Sequence, residues 1–351
     1  MAPPLVDGLM AAEVWVRDAN LSTVAQLDQF GGLKATLPVN GAGGWTLQLP
    51  ATGSASLLGE VDAGLRVDVD GVRLFGGPVT SWERRSDGTV DVAGVSDWDV
   101  LNGLLVAPTS GDTDDRTGVA ETVALGYLAA NLGRLGVAYT TAGSDGGGAS
   151  GAWTGGWSTK LGDLVREILD PSGLICTVTD SGAALDVDVV GPRDRSAEVR
   201  FASDLGTVST WARSLARRKA DVAVVSGATV TRTVGSGLAW VRETHVSQPS
   251  TDDTDTLDAA GGEALDDGRA RDTVMVETVD TEAFGFGDWM LGDVVSLRVP
   301  GADVTVQVRQ VVFEDGRVKP VLSDVRVAAP LTSLDRLARV EREVSRISLG
   351  V

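Results

Sequence analysis

The stretch LRVDVDGVRLF, residues 65–75, decides the fold class. Leu65, Val67 and Val69 alternate with charged residues, and this period of two predicts a strand with one buried face. Asp70-Gly71 then separates this run from a second one, VRLF. A two-residue hairpin turn of type I′ needs positive φ at both central residues, and Asp-Gly is one of the pairs that adopts it most readily. The stretch therefore predicts a β-hairpin.

The neighbouring sequence extends this pattern in both directions. Residues 45–49 alternate apolar and polar side chains, and Asp87-Gly88 joins two further alternating runs. Several short strands separated by regular turns are typical of a small antiparallel barrel or sandwich. We therefore predict an N-terminal β-barrel-like domain over residues 1–108.

Residues 109–195 have a different pattern, which predicts an α+β domain. We expect an acidic loop over residues 110–117, a helix over residues 119–135 and a mobile glycine-rich loop over residues 143–156. Ser158 or Thr159 caps a second helix, because the apolar residues that follow recur at helical spacing. They are Leu161, Leu164, Val165, Ile168 and Leu169.

Strand patterns return in residues 196–329, which predict a β-rich domain ending in a barrel-like meander over residues 293–322. Residues 251–272 are the exception and predict a helix, although Gly261-Gly262 weakens it. The fold class is therefore mainly β with an α+β insertion, built from small antiparallel β-barrel or sandwich domains.

The last segment, residues 330–351, predicts an amphipathic, coiled-coil-like helix. Its apolar positions alternate in steps of three and four, the spacing of a coiled-coil seam, and include Leu337, Val340, Val344 and Ile347. About two heptads do not hold a helix in water without a partner. Two partners remain open: further copies of the same chain, or the body of this chain.

Composition excludes several classes of function. The formal net charge is −19, which disfavours specific nucleic-acid binding and anionic membranes. No apolar run has the length of a membrane span, so we expect no membrane anchor. One cysteine, Cys176, and one histidine, His245, make a zinc site of the usual nitrogen and sulfur ligands untenable. Neither residue lies in a nucleophile motif, and both are expected to be structural.

Three other patterns have a chemical and a structural interpretation. Acidic clusters at residues 112–115, 252–255 and 266–267 resemble oxygen-ligand sites for Ca²⁺, but they also fit solvated loops, and the question stays open. The glycines at 146, 148 and 151 match GxGxxG without the strand and helix that a dinucleotide site requires. Trp153 and Trp157 border this glycine-rich stretch. We predict no cofactor, no resident metal and no catalytic residue.

A family resemblance is more informative about function. Residues 14–50, VWVRDANLSTVAQLDQFGGLKATLPVNGAGGWTLQLP, and residues 65–84, LRVDVDGVRLFGGPVTSWER, resemble the N-terminal part of minor tail proteins of long-tailed phages of actinobacteria. The shared features are the Asp-x-Asn turn at residues 18–20, the GxWxLxLP strand at residues 43–50 and the GPVTS strand at residues 77–81. Residues 201–211 and 289–295 resemble later blocks of that family.

The resemblance implies a structural virion protein of the baseplate hub, located at the tail tip and assembled in the host bacterial cytoplasm. It implies a homotrimer that contacts the distal tail protein, other tail-tip or fibre proteins and the tape measure protein. In that case Leu337, Val340, Val344 and Ile347 are oligomerisation residues. Two alternatives are a tail-associated cell-wall hydrolase that uses an Asp/Glu pair and a carbohydrate-binding tail module that uses exposed tryptophans.

Overall fold

The computed structural model describes residues 12–51, 58, 63–236, 241–249, 251–268, 271–278, 285–300, 302–314 and 316–323. The chain forms two compact units, of which the first combines residues 1–211 with residues 276–351 and the second is Ala212–Met275. The helix expected over residues 330–351, with Leu337, Val340, Val344 and Ile347, lies outside the described residues. The division into four domains at residues 108, 195 and 329 stays a prediction, since compactness does not measure independent folding.

Seven strands form the N-terminal part of the first unit. They are β1 Ala12–Arg17, β2 Thr23–Leu27, β3 Gly31–Pro38, β4 Gly44–Pro50, β5 Gly64–Val69, β6 Val72–Arg84 and β7 Thr89–Val95. The hairpin predicted from residues 65–75 is confirmed as β5–β6, with φ of 49° at Asp70 and 79° at Gly71. A short 3-10 helix, Asp97–Leu101, follows β7.

The middle segment contains both helices and strands, as predicted. Its elements are β8 Thr113–Val119, α1 Ala120–Leu132, β9 Tyr139–Thr141, β10 Ser150–Gly156, α2 Leu161–Leu169, β11 Ile175–Asp180 and β12 Leu185–Val190. The apolar residues predicted for α2 are all buried in one core with α1. Two predicted loops are partly wrong, because β10 lies in the glycine-rich stretch and pairs antiparallel with β8, which lies in the acidic stretch.

The second unit contains a small sheet covered by one helix. Strand β13, Arg200–Ala202, precedes this unit and belongs to the first one. The elements that follow it are β14 Val208–Ala216, β15 Val222–Ser226, β16 Thr231–Gly235, β17 Glu243–Ser247, α3 Thr254–Asp267 and β18 Arg271–Thr278. Strands β16, β15 and β17 form the sheet, and β14 pairs with β18. Ala223, Val225 and Leu257 form the core of this unit. The helix predicted over residues 251–272 is confirmed as α3.

The C-terminal strands complete a sheet that begins at the N-terminus. They are β19 Val294–Val299, β20 Ala302–Glu314 and β21 Arg317–Ser323, as the predicted meander requires. Strand β3 pairs with β4 on one edge and with β20 on the other, which joins the two groups of strands. The eleven strands follow the order β13-β19-β20-β3-β4-β7-β6-β5-β1-β2, with β21 beside β20. The mainly β class is confirmed. Of the predicted barrel or sandwich domains, a closed barrel is not formed by the described residues, because this path has two free ends.

Two meanders in this sheet have the same design. Strands β5, β6 and β7 contain 6, 13 and 7 residues, and so do β19, β20 and β21. Each long strand pairs with the preceding strand over its first half and with the following strand over its second half. A register shift marks the change of partner, between Val79 and Ser81 in β6 and between Val308 and Gln310 in β20. No helix of the described residues has the length and apolar character needed to cross a bilayer.

Candidate functional site

A buried ion cluster fixes the middle segment to the N-terminal strands. The guanidinium of Arg17, at the end of β1, donates to Asp97 and Asp180, with distances of 2.9 Å from Nη1 to Asp97 Oδ2 and 2.9 Å from Nη1 to Asp180 Oδ2. All three side chains are almost completely buried. Arg73, on β6, donates to the backbone oxygen of Asp180 over 2.7 Å. Each buried carboxylate therefore faces a cation and is held in place rather than free to react.

Burial raises the pKa of Asp97, and the hydrogen bonds and charge of Arg17 oppose that rise. Gly76 makes room for this carboxylate, since a Cβ there would lie 2.5 Å from Asp97 Oδ2. Sequence reasoning missed the cluster. Its one local signal is Gly76-Gly77, which interrupts an otherwise bulky strand.

A second polar cluster fixes the turn between β3 and β4. Asn40 has a φ of 50° and is buried, and its Nδ2 donates to Asp170 Oδ1 over 2.7 Å and to the Leu174 carbonyl over 2.8 Å. Its Oδ1 accepts the backbone N–H of Cys176 over 2.7 Å. Burial raises the pKa of Asp170, and its hydrogen bond with Asn40 opposes the rise. Within the first unit, both clusters connect residues more than a hundred positions apart in the chain.

The glycine-rich stretch encloses a carboxylate of its own chain. Glu121, at the start of α1, accepts the backbone N–H groups of Asp145, over 2.8 Å, and Gly147. Glu121 thus uses two backbone amides of this loop, and the Ser144 hydroxyl accepts a third, that of Gly146, over 3.1 Å, where a phosphate would need them free. The GxGxxG match therefore does not describe a nucleotide site, and residues 145–147 are tied to the helix instead of forming the expected mobile loop.

Carboxylates of two acidic clusters bind groups of their own chain. Asp252 accepts the N–H of Thr229 over 2.7 Å and that of Val230 over 2.9 Å, and its hydrogen bonds to Thr229 lower its pKa. Asp253 caps α3 through Thr256, whose backbone N–H it accepts over 3.0 Å. Asp114 pairs with Arg116 over 2.7 Å. In the part of the chain that the structure describes, no three acidic, histidine or cysteine residues are grouped as a metal site would require.

The cysteine and the histidine occupy different environments. Burial raises the pKa of Cys176 to about 12, so its thiol is protonated and unreactive at neutral pH. His245 lies exposed on β17, and its Nε2 is 2.9 Å from the Ser226 hydroxyl on β15. Sequence reasoning missed this pair, which parallel pairing of the two strands brings together. No described residue is hydrogen-bonded to the other ring nitrogen, so the orienting group of a hydrolytic triad is not present in the described structure.

The tryptophans beside the glycine-rich stretch differ from each other. Trp153 is half-buried against the core of the middle segment, and its carbonyl accepts the Tyr127 hydroxyl over 2.9 Å. Trp157 is more than half exposed in the turn before α2. The two rings do not form the paired platform that a sugar-stacking site would use.

Comparison with known proteins assigns the chain to a family. The model of the siphovirus ReqiPepy6 Gp37-like protein family matches residues 13–320. The chain belongs to this family. The match covers the whole first meander, the middle segment, the second unit and nearly all of the second meander. A comparison with curated protein sequences gives no match.

Solved structures of tail proteins share the fold of this family member. The 43 kDa tail protein of prophage MuSo2 from Shewanella oneidensis has a TM-score of 0.60 at 13% identity, over 90% of this chain and 98% of that chain. A tail protein from Neisseria meningitidis MC58 has a TM-score of 0.59 at 13% identity, over 91% and 99%. The prophage tail protein gp18 from Listeria monocytogenes EGD-e has a TM-score of 0.56 at 14% identity, over 94% and 99%. At such identities the likeness shows a common fold.

Proposed function

We propose that the protein is a structural component of the virion, a baseplate hub that joins the end of the tail tube to the tail tip and the host-recognition apparatus of a siphovirus infecting actinobacteria. One observation carries the proposal. The fold of 90–94% of the chain is that of three tail proteins, two of them from prophages, each covered almost from end to end. The family model, which covers residues 13–320, also supports a role in a siphovirus.

The geometry supports a structural rather than a catalytic role. The buried carboxylates of Asp97 and Asp180 pair with Arg17, and that of Asp170 bonds to Asn40. Such clusters specify one arrangement of the segments and hold it rigid. A rigid body suits an adaptor, because its interfaces then form without a cost for ordering flexible segments.

The partners we propose are those of a hub. Copies of the chain form a homotrimer, which contacts the distal tail protein and the tape measure protein on one side and other tail-tip or fibre proteins on the other. Closed rings are a common form of homo-oligomer and suit a component placed around an axis. The net charge of −19 fits protein partners better than a nucleic acid.

Labelling in whole virions tests this role. Antibody-gold or a fluorescent fusion is expected to mark one end of the tail, opposite the capsid, with a copy number per particle that is a multiple of three. Quantitative mass spectrometry of purified virions gives the copy number. A label on the capsid, absence from the particle, or turnover of purified peptidoglycan by the isolated chain would contradict the proposal.

Removal of residues 331–351 tests the proposed oligomerisation residues. We expect the truncated chain to dissociate at a concentration at least about tenfold higher than the full chain, because Leu337, Val340, Val344 and Ile347 no longer form a seam between copies. Sedimentation velocity over a concentration series measures the change. Equal dissociation of both chains, with lower thermal stability of the truncated one, would instead indicate that the segment packs on its own chain.

A further inference from the structure

A groove on the outer face of the large sheet lies where the chain changes its pairing partner. The chain leaves β2 at Leu27, which pairs with β1, and enters β3 at Gly31, which pairs with Gln48 of β4. Beyond this pair β4 continues beside β7 up to Pro50, while residues 28–30 lead back to β2. The two parts of the chain separate there and leave a groove of about 620 Å³. This volume is typical of small-molecule sites, which measure roughly 300–1,000 Å³.

Backbone pairing fixes one wall of this groove. Pro50 lies opposite Thr89 on β7, and the backbone N–H of Ala51 donates to the Gly88 carbonyl over 2.8 Å. The Asp87 carboxylate accepts the backbone N–H of Thr89 over 3.0 Å and its hydroxyl over 2.7 Å. A ligand therefore finds this wall already ordered, which lowers the cost of binding.

The polar groups of the groove are mainly hydrogen-bond acceptors. Asp28 and Gln29 are exposed, and no described residue forms a hydrogen bond or an ion pair with either side chain. Gln48 donates through its Nε2 to Asp91 Oδ1 over 3.0 Å, which leaves its Oε1 as an acceptor. The Thr89 hydroxyl donates to Asp87 and can accept a further hydrogen bond. A ligand rich in hydroxyl donors complements this lining.

The groove also has an apolar side and lacks positive charge. Half-buried Phe30 and exposed Pro50 contribute apolar surface. No lysine, arginine or histidine is among the described residues that line the groove, so it offers no partner to a phosphate or a carboxylate. The net charge of −19 disfavours anions further. A simple cation would use the exposed Asp28 carboxylate, a weak attraction in water, and would leave the apolar side uncovered.

We infer that this groove binds a neutral carbohydrate. A sugar ring carries hydroxyl donors at its rim and C–H groups on its face, and the groove presents a surface for each. The hydroxyl groups donate to Asp28, Gln48 and Thr89, and the C–H face packs on the ring of Phe30 and on Pro50. This binding does not depend on where in the virion the protein lies, so it stands or falls separately from the proposed function.

Saturation-transfer NMR of the full chain tests the site with four probes, the methyl glycosides of glucose, galactose, mannose and N-acetylglucosamine. The groove is open to solvent and covers one face of a ring. We therefore expect at least one probe to bind with a dissociation constant of about 1–10 mM. Putrescine serves as a cationic probe without a sugar ring.

Gly31→Val and Gly44→Val form a matched pair of variants. Both glycines lie on strands of the same sheet, neither has a positive φ, and a Cβ on either would meet nothing within 4 Å. Gly31 lines the groove and Gly44 does not, so only Gly31→Val places a side chain in it. We expect binding to weaken at least about tenfold in Gly31→Val and to match wild type in Gly44→Val.

Asp28→Asn tests the polar side of the groove. It removes the charge of one acceptor without changing the size of the side chain, and we expect it to weaken binding about tenfold. Circular dichroism checks that each variant is folded.

Several results would overturn the inference. They are no saturation transfer to any of the four glycosides at up to about 50 mM, well above the expected dissociation constant, equal binding by the two glycine variants, or wild-type binding by Asp28→Asn. Binding of putrescine to the wild-type chain, lost in Asp28→Asn and without binding of any glycoside, would show a cation site instead.

Discussion

Replacing Arg17 with methionine is expected to lower the free energy of unfolding by about 3–5 kcal/mol, the usual cost of removing one partner from a buried ion pair. Methionine fills much of the same volume without a charge. It leaves the carboxylates of Asp97 and Asp180 buried and facing each other without the cation that separates them. Urea denaturation followed by tryptophan fluorescence measures the loss. This chain suits the method, because its nine tryptophans include Trp15, two residues from the site.

Arg298→Met is the matched control for this substitution. Arg298 also pairs with two carboxylates, those of Asp204 and Asp303, but its side chain is 45% exposed. Exposed ion pairs contribute little to stability, because water and salt screen them. We expect the control to unfold at nearly the wild-type urea concentration. Similar losses in both variants would show that burial is not what makes the Arg17 cluster important.

The pH dependence of the Arg17 variant follows from the pKa of Asp97. Burial raises this pKa above its unfolded value of about 3.9, while Arg17 opposes the rise. A carboxyl with a raised pKa contributes stability that is fully present below the unfolded pKa and is lost as the pH rises through the folded pKa. Without Arg17 the folded pKa rises further. The difference between variant and wild type is therefore expected to shrink as the pH falls from neutral towards about 4.

Short sequence patterns were sufficient to predict individual hairpins and helices. The Asp70-Gly71 turn requires positive φ at two consecutive residues, and few residue pairs provide it, so the β5–β6 hairpin follows from the sequence. Helix α2 follows from five apolar residues at helical spacing. Strand β10 was not predicted, because no local pattern indicates it. Its sequence, SGAWTGG, has no alternation of apolar and polar residues, and pairing with β8 determines its conformation.

The order of the strands and the ion clusters depend on contacts that no local pattern records. Arg17 meets Asp97 and Asp180 across separations of 80 and 163 residues. With 49 acidic residues in the chain, nothing in the sequence selects these two. The similarity of the two meanders was also not predicted from the sequence. They share strand lengths and a change of pairing partner in the long strand, but not their residues. Trp82 is 56% exposed although it lies in a strand pattern, because alternation along one strand does not show whether another element covers its side chain.

Among the residues that carry the family resemblance, Gly77 is the one for which the structure explains most directly why no side chain fits. It begins the GPVTS motif and lies opposite Leu65, close to where β6 leaves β5 and turns towards β7. At this point β6 passes so close to the end of β7 that a Cβ on Gly77 would lie 1.8 Å from the Val95 carbonyl oxygen and 2.8 Å from Ser96 Cα. Both of these are backbone atoms, which cannot rotate away as a side chain can.

Gly77→Ala is therefore expected to lower the free energy of unfolding by about 3 kcal/mol or more, because the two strands must separate to admit one methyl group. Gly44→Ala is the matched control. Gly44 lies on β4 opposite the same Val95, and a Cβ there would meet nothing within 4 Å. Alanine in place of this glycine restricts the unfolded chain and is expected to change stability by less than about 1 kcal/mol, in the stabilising direction. Urea denaturation compares the two, and hydrogen exchange at β6 and β7 locates the change. Equal stability of the two variants would mean that the strands separate at little cost, and the glycine would then need another explanation.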